Sequence, residues 1–442
     1  MTSTDPRVAT AAWSDTPTVP GAEATVANPV DLGGGDRPGD GRVQRTAARR
    51  RRRRRRRLVV AAYAAALLVV AAAIPTLGWI GAQAVLESRD GEVADPVLDP
   101  TQPGYQAVVP PSPTLLVAHQ APDGSLAGAA VLVLAGADQP GGSLWLLPAD
   151  VAVELTGIGE LTLDEAFAFG GADGVLGAAE QLLRIDLDDV VVLDAAGWER
   201  TLAPLGPVVV TNPDEVVAPD GATTFPAGEI ELTPAQFGAY LAASVPGEDP
   251  LNALLRQELA WTAWIRAVSG DPAAVPGETD QGLGWFVPGL ATGALRVATL
   301  PVIAEERPVD PAEPADPDAP TTTVVLVADA EAVAALVPEL VPFPAGAQPG
   351  DRIRVRILDG TGATERVLPV ARLLVGAGAQ ITLVGNADRF DVAQTLVFHS
   401  PGEPPDAAEA MAAALGVGTV QEAEQQDEDV DVTVVLGADY RP

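Results

Sequence analysis

Nine consecutive arginines, Arg49 to Arg57, run directly into an apolar stretch, Leu58 to Leu86, that carries no charge until Glu87. Such a stretch exceeds the ~20 residues a helix needs to cross a hydrocarbon core, and clustered arginines stay on the cytoplasmic side. Together they predict one membrane-spanning helix over 58–86, a cytoplasmic N-terminal segment over 1–57, and a chain lying outside the membrane after about residue 87. A cleaved secretory signal has a shorter apolar core with a small-residue cleavage site close behind it, so the length favours a retained anchor. Pro75 interrupts the helical pattern, and Trp79 stands where an interfacial aromatic belongs. The expected location is the cell membrane, single-pass, with the N-terminus cytoplasmic and the C-terminal domains extracellular.

All 27 basic residues are arginine, and 13 of them lie in residues 1–57 beside six carboxylates. The remainder holds 14 arginines against 54 carboxylates, a net charge of −40. That field repels nucleic acid, so a nucleic-acid partner is excluded. With no cysteine, the exported part has to hold together through its cores without disulfides. Richness in Ala, Val, Gly, Pro and Asp without lysine is the compositional mark of a high-GC bacterial genome.

Residues 1–57 lack apolar periodicity and read as a disordered tail. Residues 87–112, with Pro96, Pro100, Pro103, Pro110 and Pro111, read as a stalk. A first domain is expected over 113–342. It opens on the apolar runs "TLLVAHQA", "AGAAVLVLA" and "GSLWLLPAD", which are buried-strand patterns bounded by turn residues. From Thr162 the period becomes helical, broken at Gly170-Gly171. Pro250 to Ser269 is a long amphipathic helix whose Trp261 and Trp264 are core residues or, alternatively, line a lipid-accepting groove. A Pro/Asp/Ala insert at 308–320 is loop-like. A linker at 343–350 then precedes a second domain over 351–442, where strands and helices alternate as in a small α/β sandwich.

Several segments carry a resemblance to a known family. They are Leu161 to Val210, with Phe167 to Gly171 at a helix entry; "LNALLRQELAW", Leu251 to Trp261; "RVATLPV", Arg296 to Val302; and, in the second domain, "LDGTG" (Leu358 to Gly362), "GNAD" (Gly385 to Asp388) and "VVLGAD" (Val434 to Asp439). In these the chain resembles the LytR-CpsA-Psr (LCP) cell-envelope proteins, with the LytR C-terminal domain often appended to them. The resemblance implies an LCP-like α/β/α domain with a central mixed sheet, followed by a small α/β domain. It also implies transfer of a glycopolymer from a polyprenyl-diphosphate carrier to peptidoglycan, with Mg²⁺, acidic ligands and several arginines around the diphosphate. Phosphoryl transfer is mostly positioning and charge neutralisation, which is why guanidinium groups suit it.

The family's Pro-Arg-Asp falls on Pro148-Ala149-Asp150, its early Asp on Pro113, and its tyrosine with paired arginines on Tyr240, Ala242 and Ser244. What matches is Asp150 as a metal ligand, Arg256-Gln257 at the late Arg-Gln, Tyr240, and Asp249 ahead of them. Asp150 and Arg256 are thus the candidate catalytic residues, and Arg256, Gln257 and Tyr240 the candidate polyprenyl-phosphate-binding residues. The plainer alternatives are a turn or cap role for Asp150 and a core-edge role for Arg256. Mg²⁺ is expected only if the chain is catalytic. His119 and His399 with no cysteine do not make a zinc site, and Asp186, Asp188 and Asp189 read as a solvated turn.

Three functions compete. The first is a non-catalytic, membrane-anchored envelope protein that binds or scaffolds in wall assembly. The second is a working transferase whose cations come from Arg184, Arg200 or Arg266. The third makes the C-terminal domain a wall- or partner-binding module. Partners expected from these readings are the membrane, a polyprenyl-phosphate lipid and peptidoglycan.

Overall fold

The computed structural model describes residues 88–89, 92–93, 97–136, 139–155, 157–218, 220–243, 248–308 and 322–441. The arginine run, the apolar stretch 58–86, Ser244 and nearly all of the acidic insert lie outside the described residues. Among the described residues no helix is long and apolar enough to cross a membrane. Upstream, Ser88–Arg89 pairs antiparallel with Glu92–Val93. The chain from Asp95 onward forms a separate compact unit.

That unit is mixed α/β. Its helices are α1 (Leu163–Leu183), α2 (Ala195–Leu202), α3 (Pro234–Leu241), α4 (Pro250–Val268), α5 (Gly282–Ala291), α6 (Ala330–Leu340), α7 (Val367–Gly376) and α8 (Asp406–Leu415). The first sheet has the order Leu295–Thr299, Gln139–Leu147, Leu126–Gly136, Thr114–Gln120, Val190–Leu193. Its two outer pairings are parallel and its two inner ones antiparallel.

Both faces of this sheet are covered, which is why its strands are continuous apolar runs and not alternating ones. Leu115, Val117, Leu132 and Leu144 point to one face and pack against Trp198 of α2, Phe237 of α3, Trp264 of α4 and Val287 of α5. Leu116, Ala118, Val131 and Trp145 point to the other, against Val175 and Ala178 of α1 and Val333 and Val337 of α6. A smaller sheet runs Val302–Pro308, Thr322–Ala328, Val151–Leu155, Gly159–Thr162.

Helix α1 begins at a capping box: Thr162 Oγ1 accepts from Glu165 N at 3.1 Å, and Glu165 Oε2 accepts from Thr162 N at 2.7 Å. Its expected break falls at Gly171, where φ 60° and ψ −137° leave the helical region.

The C-terminal sheet has six strands in the order Thr419–Glu422, Leu396–His399, Val432–Leu436, Ile353–Asp359, Ala379–Asn386, Gln106–Val108. Its last strand comes from the segment expected as a stalk. Gln106–Val108 pairs antiparallel with Leu383–Gly385, and Asn386 Nδ2 donates to Pro100 O at 2.9 Å and Gln102 O at 2.7 Å. A proline-flanked run of three is tolerated there because an edge strand needs ladder bonds on one side only. Gly385 is required by the approach: a Cβ on it would lie 2.1 Å from Tyr105 O.

The expected linker is likewise tied down. Ser112 N donates to Phe343 O at 2.9 Å, and Asp186 N to Ala345 O at 3.0 Å. Val337 of α6 and Val370 and Leu374 of α7 share one buried cluster with Val131, so residues 343–350 separate two sheets without separating two cores.

Candidate functional site

The candidate residues meet where α3 ends and α4 begins. The aromatic side chain of Tyr240, in the last turn of α3, is buried, and its hydroxyl donates to Asn212 Oδ1 at 3.0 Å. Asn212 in turn donates to the carbonyls of Phe225 (3.1 Å) and Pro226 (2.9 Å), so its amide orientation is set. Burial pushes the Tyr240 phenol up to about 12, with the positive charge of Arg256 pulling the other way. This tyrosine is a neutral hydrogen-bond donor at any physiological pH.

Arg256 is 1% exposed. Both terminal nitrogens of its guanidinium face Glu248: Nη1 meets Oε1, and Nη2 meets Oε2 at 2.7 Å. Nη2 also donates to Ala243 O at 2.8 Å. The pair is buried on both sides, with side-chain exposures of 2% and 10%. A fork-to-fork guanidinium–carboxylate pair uses the same two donors that would grip a phosphate. The arginine that most closely matches the family motif is therefore already occupied, by a carboxylate of this chain that sequence reasoning had not singled out.

Gln257, buried beside it, works as a clamp. Its Nε2 donates to Ala127 O at 3.0 Å and Leu241 O at 3.1 Å, joining α4 to the sheet and to the end of α3. Gly128 leaves room for it, since a Cβ there would lie 2.6 Å from Gln257 Oε1.

Asp249 caps α4, its Oδ1 accepting from Leu251 N at 3.0 Å. Asp150 sits in the turn after Gln139–Leu147, exposed by surface area yet flanked by enough protein to be partly desolvated. That desolvation, and then the negative charge of Asp249, raise its pKa above the ordinary carboxylate value. The fold thus brings Asp150, Tyr240, Asp249, Arg256 and Gln257 into one neighbourhood with two carboxylates repelling each other.

The positions expected to hold arginines hold small side chains: Ala149 is half-buried against the core, and Ala242 caps the end of α3. Arg184, Arg200 and Arg266 are all exposed. Arg266 lies in the last turn of α4, about 25 Å along the axis from Asp249 at ~1.5 Å per residue. One oxygen of Asp249 is engaged in capping α4, and among the described residues no three of His, Cys, Asp and Glu stand together as a ligand set.

His119 lies in the aromatic cluster. Trp198 Nε1 donates to its Nδ1 at 2.8 Å, and burial lowers its pKa to about 4, so the ring is neutral. Trp198 stacks edge-on against Trp261 and Trp264 at 5.3 and 5.5 Å, which makes both tryptophans core residues and not groove lining. Asp188 is tied back to Thr114, whose N donates to its Oδ2 at 2.8 Å.

Comparison with known proteins supports the C-terminal part of the resemblance directly. Residues 352–440 match the family model LytR_C, described as LytR cell envelope-related transcriptional attenuator. A search of curated proteins found no match. Among solved structures, B. subtilis TagV is 18% identical with TM-score 0.40, over 50% of this chain and 92% of that one. The LytR-CPS2A-psr family protein YwtF (TagT), with bound octaprenyl pyrophosphate lipid, is 17% identical with TM-score 0.39, over 57% and 95%. A transcriptional regulator from Enterococcus faecalis is 17% identical with TM-score 0.41, over 54% and 90%.

Proposed function

We propose that this chain is a membrane-anchored envelope protein of LCP-like build that binds or scaffolds during cell-wall assembly and does not transfer glycopolymer. The observation that carries the reading is the buried Arg256–Glu248 pair, with Ala149 and Ala242 where the family pattern has arginines. A diphosphate would have to displace Glu248 from a desolvated guanidinium, and no second cation of the family pattern stands ready. The LytR_C domain at 352–440 supports the envelope setting, and the arginine run before an uncharged 29-residue stretch supports the anchor.

The test is release of polyprenyl monophosphate from a polyprenyl-diphosphate-linked glycan analogue by the full chain in detergent, with peptidoglycan as acceptor and Mg²⁺ present. The expected result is release indistinguishable from buffer. Turnover that is abolished by Asp150→Ala would overturn the reading in favour of a working transferase. That second reading has one observation in its favour, Asp150, whose pKa is raised by desolvation and by the negative charge of Asp249, which suits a proton-holding carboxyl.

A further inference from the structure

The edge strand Gln106–Val108 belongs to an arm, residues 97–109, that opens the compact unit and lies on the sheet of its far end. The bonds that seat the arm run to residues 382–387. Val109 N donates to Thr382 O at 2.9 Å, Asn386 N to Tyr105 O at 2.7 Å, and Gly104 N to Ala387 O at 3.0 Å, beside the two bonds from Asn386 Nδ2. The arm also holds a turn of its own: Thr101 N and Gln102 Nε2 both donate to the Asp99 carboxylate, at 2.9 and 3.1 Å. It can therefore move as a unit.

Pro110 and Pro111 form its hinge. Both are exposed, and beyond them Ser112 is fastened to Phe343 by Ser112 N to Phe343 O at 2.9 Å and Phe343 N to Ser112 Oγ at 3.1 Å. Consecutive prolines have no N–H to bond and keep the chain extended and stiff, and short hinges of this kind invite exchange of an element between copies. The hold on the arm is also slight. Three of its residues pair with the sheet, against seven in the neighbouring pair Ile353–Asp359 with Ala379–Asn386. Beneath it an apolar cleft of about 320 Å³ separates Tyr105 and Val109 from Phe343, Leu368 and Ala371, so dispersion contacts are missing on that side. Val108 is left 61% exposed.

We infer that residues 97–109 are an exchange arm: in a pair of copies, each arm swings out at Pro110–Pro111 and fills the other copy's seat. The occupant is set by the structure, which shows this very sequence seated, down to the clearance at Gly385 that its backbone requires. Every arm–seat bond broken within a chain is remade between chains. Because the seat begins beside the hinge, the two hinges cross at a two-fold axis. Val108, two residues away, falls near that axis and gains cover.

The chain has no cysteine, so introduced ones report cleanly. Val108 and Leu383 are directly opposed, and opposed residues of an antiparallel pair stand about 4.5–5.5 Å apart at Cα, within disulfide range. Full chains carrying Val108→Cys or Leu383→Cys, with tags of different size, are co-expressed, extracted in detergent, oxidised and read on non-reducing gels. The control pair is Val108→Cys with Val209→Cys, an exposed site on another strand. The mixed pair should give a disulfide heterodimer about fivefold or more above the control, since only opposed residues reach disulfide geometry. The double variant Val108→Cys/Leu383→Cys should oxidise fully, which shows the seat to be formed. Full oxidation of the double variant with no heterodimer in the mixed pair would keep the arm within its own chain and overturn the proposal. A heterodimer no stronger than the control would mark random collision, and an unoxidised double variant would remove the pairing itself; either also overturns it.

Discussion

Two arginine–carboxylate pairs in this molecule look alike on paper and differ in consequence. Arg256–Glu248 is sealed, with side-chain exposures of 2% and 10%, whereas Arg354–Asp431 in the C-terminal sheet is open at 41% on each side. In water the attraction at contact is comparable to the entropy lost in holding two long side chains, so the open pair adds little. In the interior each charge has left its hydration behind, and neither can be removed without stranding the other. The sealed pair is therefore a commitment of the fold, and it removes the Arg256 guanidinium from contact with solution.

The contrast breaks most sharply at Glu248. Glu248→Ala leaves a buried, uncompensated guanidinium and should destabilise the protein by about 3–5 kcal/mol in urea unfolding. A loss under 1 kcal/mol would mean that the pair is not sealed.

The next effect is a pH dependence within the same core. His119 has its pKa lowered from 6.5 to about 4 by burial. Its unfolded form binds a proton more readily than its folded form. The associated stability is thus fully present above pH 6.5 and is lost as pH falls toward 4, by about 3 kcal/mol in all. His119→Gln keeps an acceptor for Trp198 and should flatten that part of the profile. An unchanged slope would assign the acid sensitivity to other groups.

Tyr240→Phe leaves Asn212 Oδ1 buried without its donor and should cost about 1–3 kcal/mol, with no change in secondary structure. Smallest of all, Asp431→Ala in the open pair should cost about 1 kcal/mol or less, and less still at high salt. A larger loss there than at Glu248 would reverse the comparison.

How far these features could be read from the chain depended on whether the signal was local. The helix break at Gly170-Gly171, the long helix from Pro250, and the strand and helix order from Ile353 onward follow from periodicity and glycine placement, except for the short strand Thr419–Glu422, which the sequence reading missed. Trp261 and Trp264 are both buried, which decides between the core and groove readings that the sequence left open. The edge strand Gln106–Val108 was hidden because three residues among prolines have no period to detect, and its partner lies more than 270 residues away. The same distance effect hid the shared core of α6 and α7, which made a proline-rich joint look like a free linker. Alanine at 149 and 242 was visible at once. Glu248 was not, because it precedes the helix and reaches Arg256 from outside the i, i+4 spacing on which sequence reading relies.

Under the proposed function, Glu248 holds Arg256 where a diphosphate would otherwise bind. Titration calorimetry of the full chain in detergent with inorganic pyrophosphate, alongside Glu248→Gln, tests it most directly. No measurable heat is expected for the unaltered chain, and saturable binding once the carboxylate charge is removed. Saturable binding by the unaltered chain, unchanged or weakened in Glu248→Gln, would contradict it.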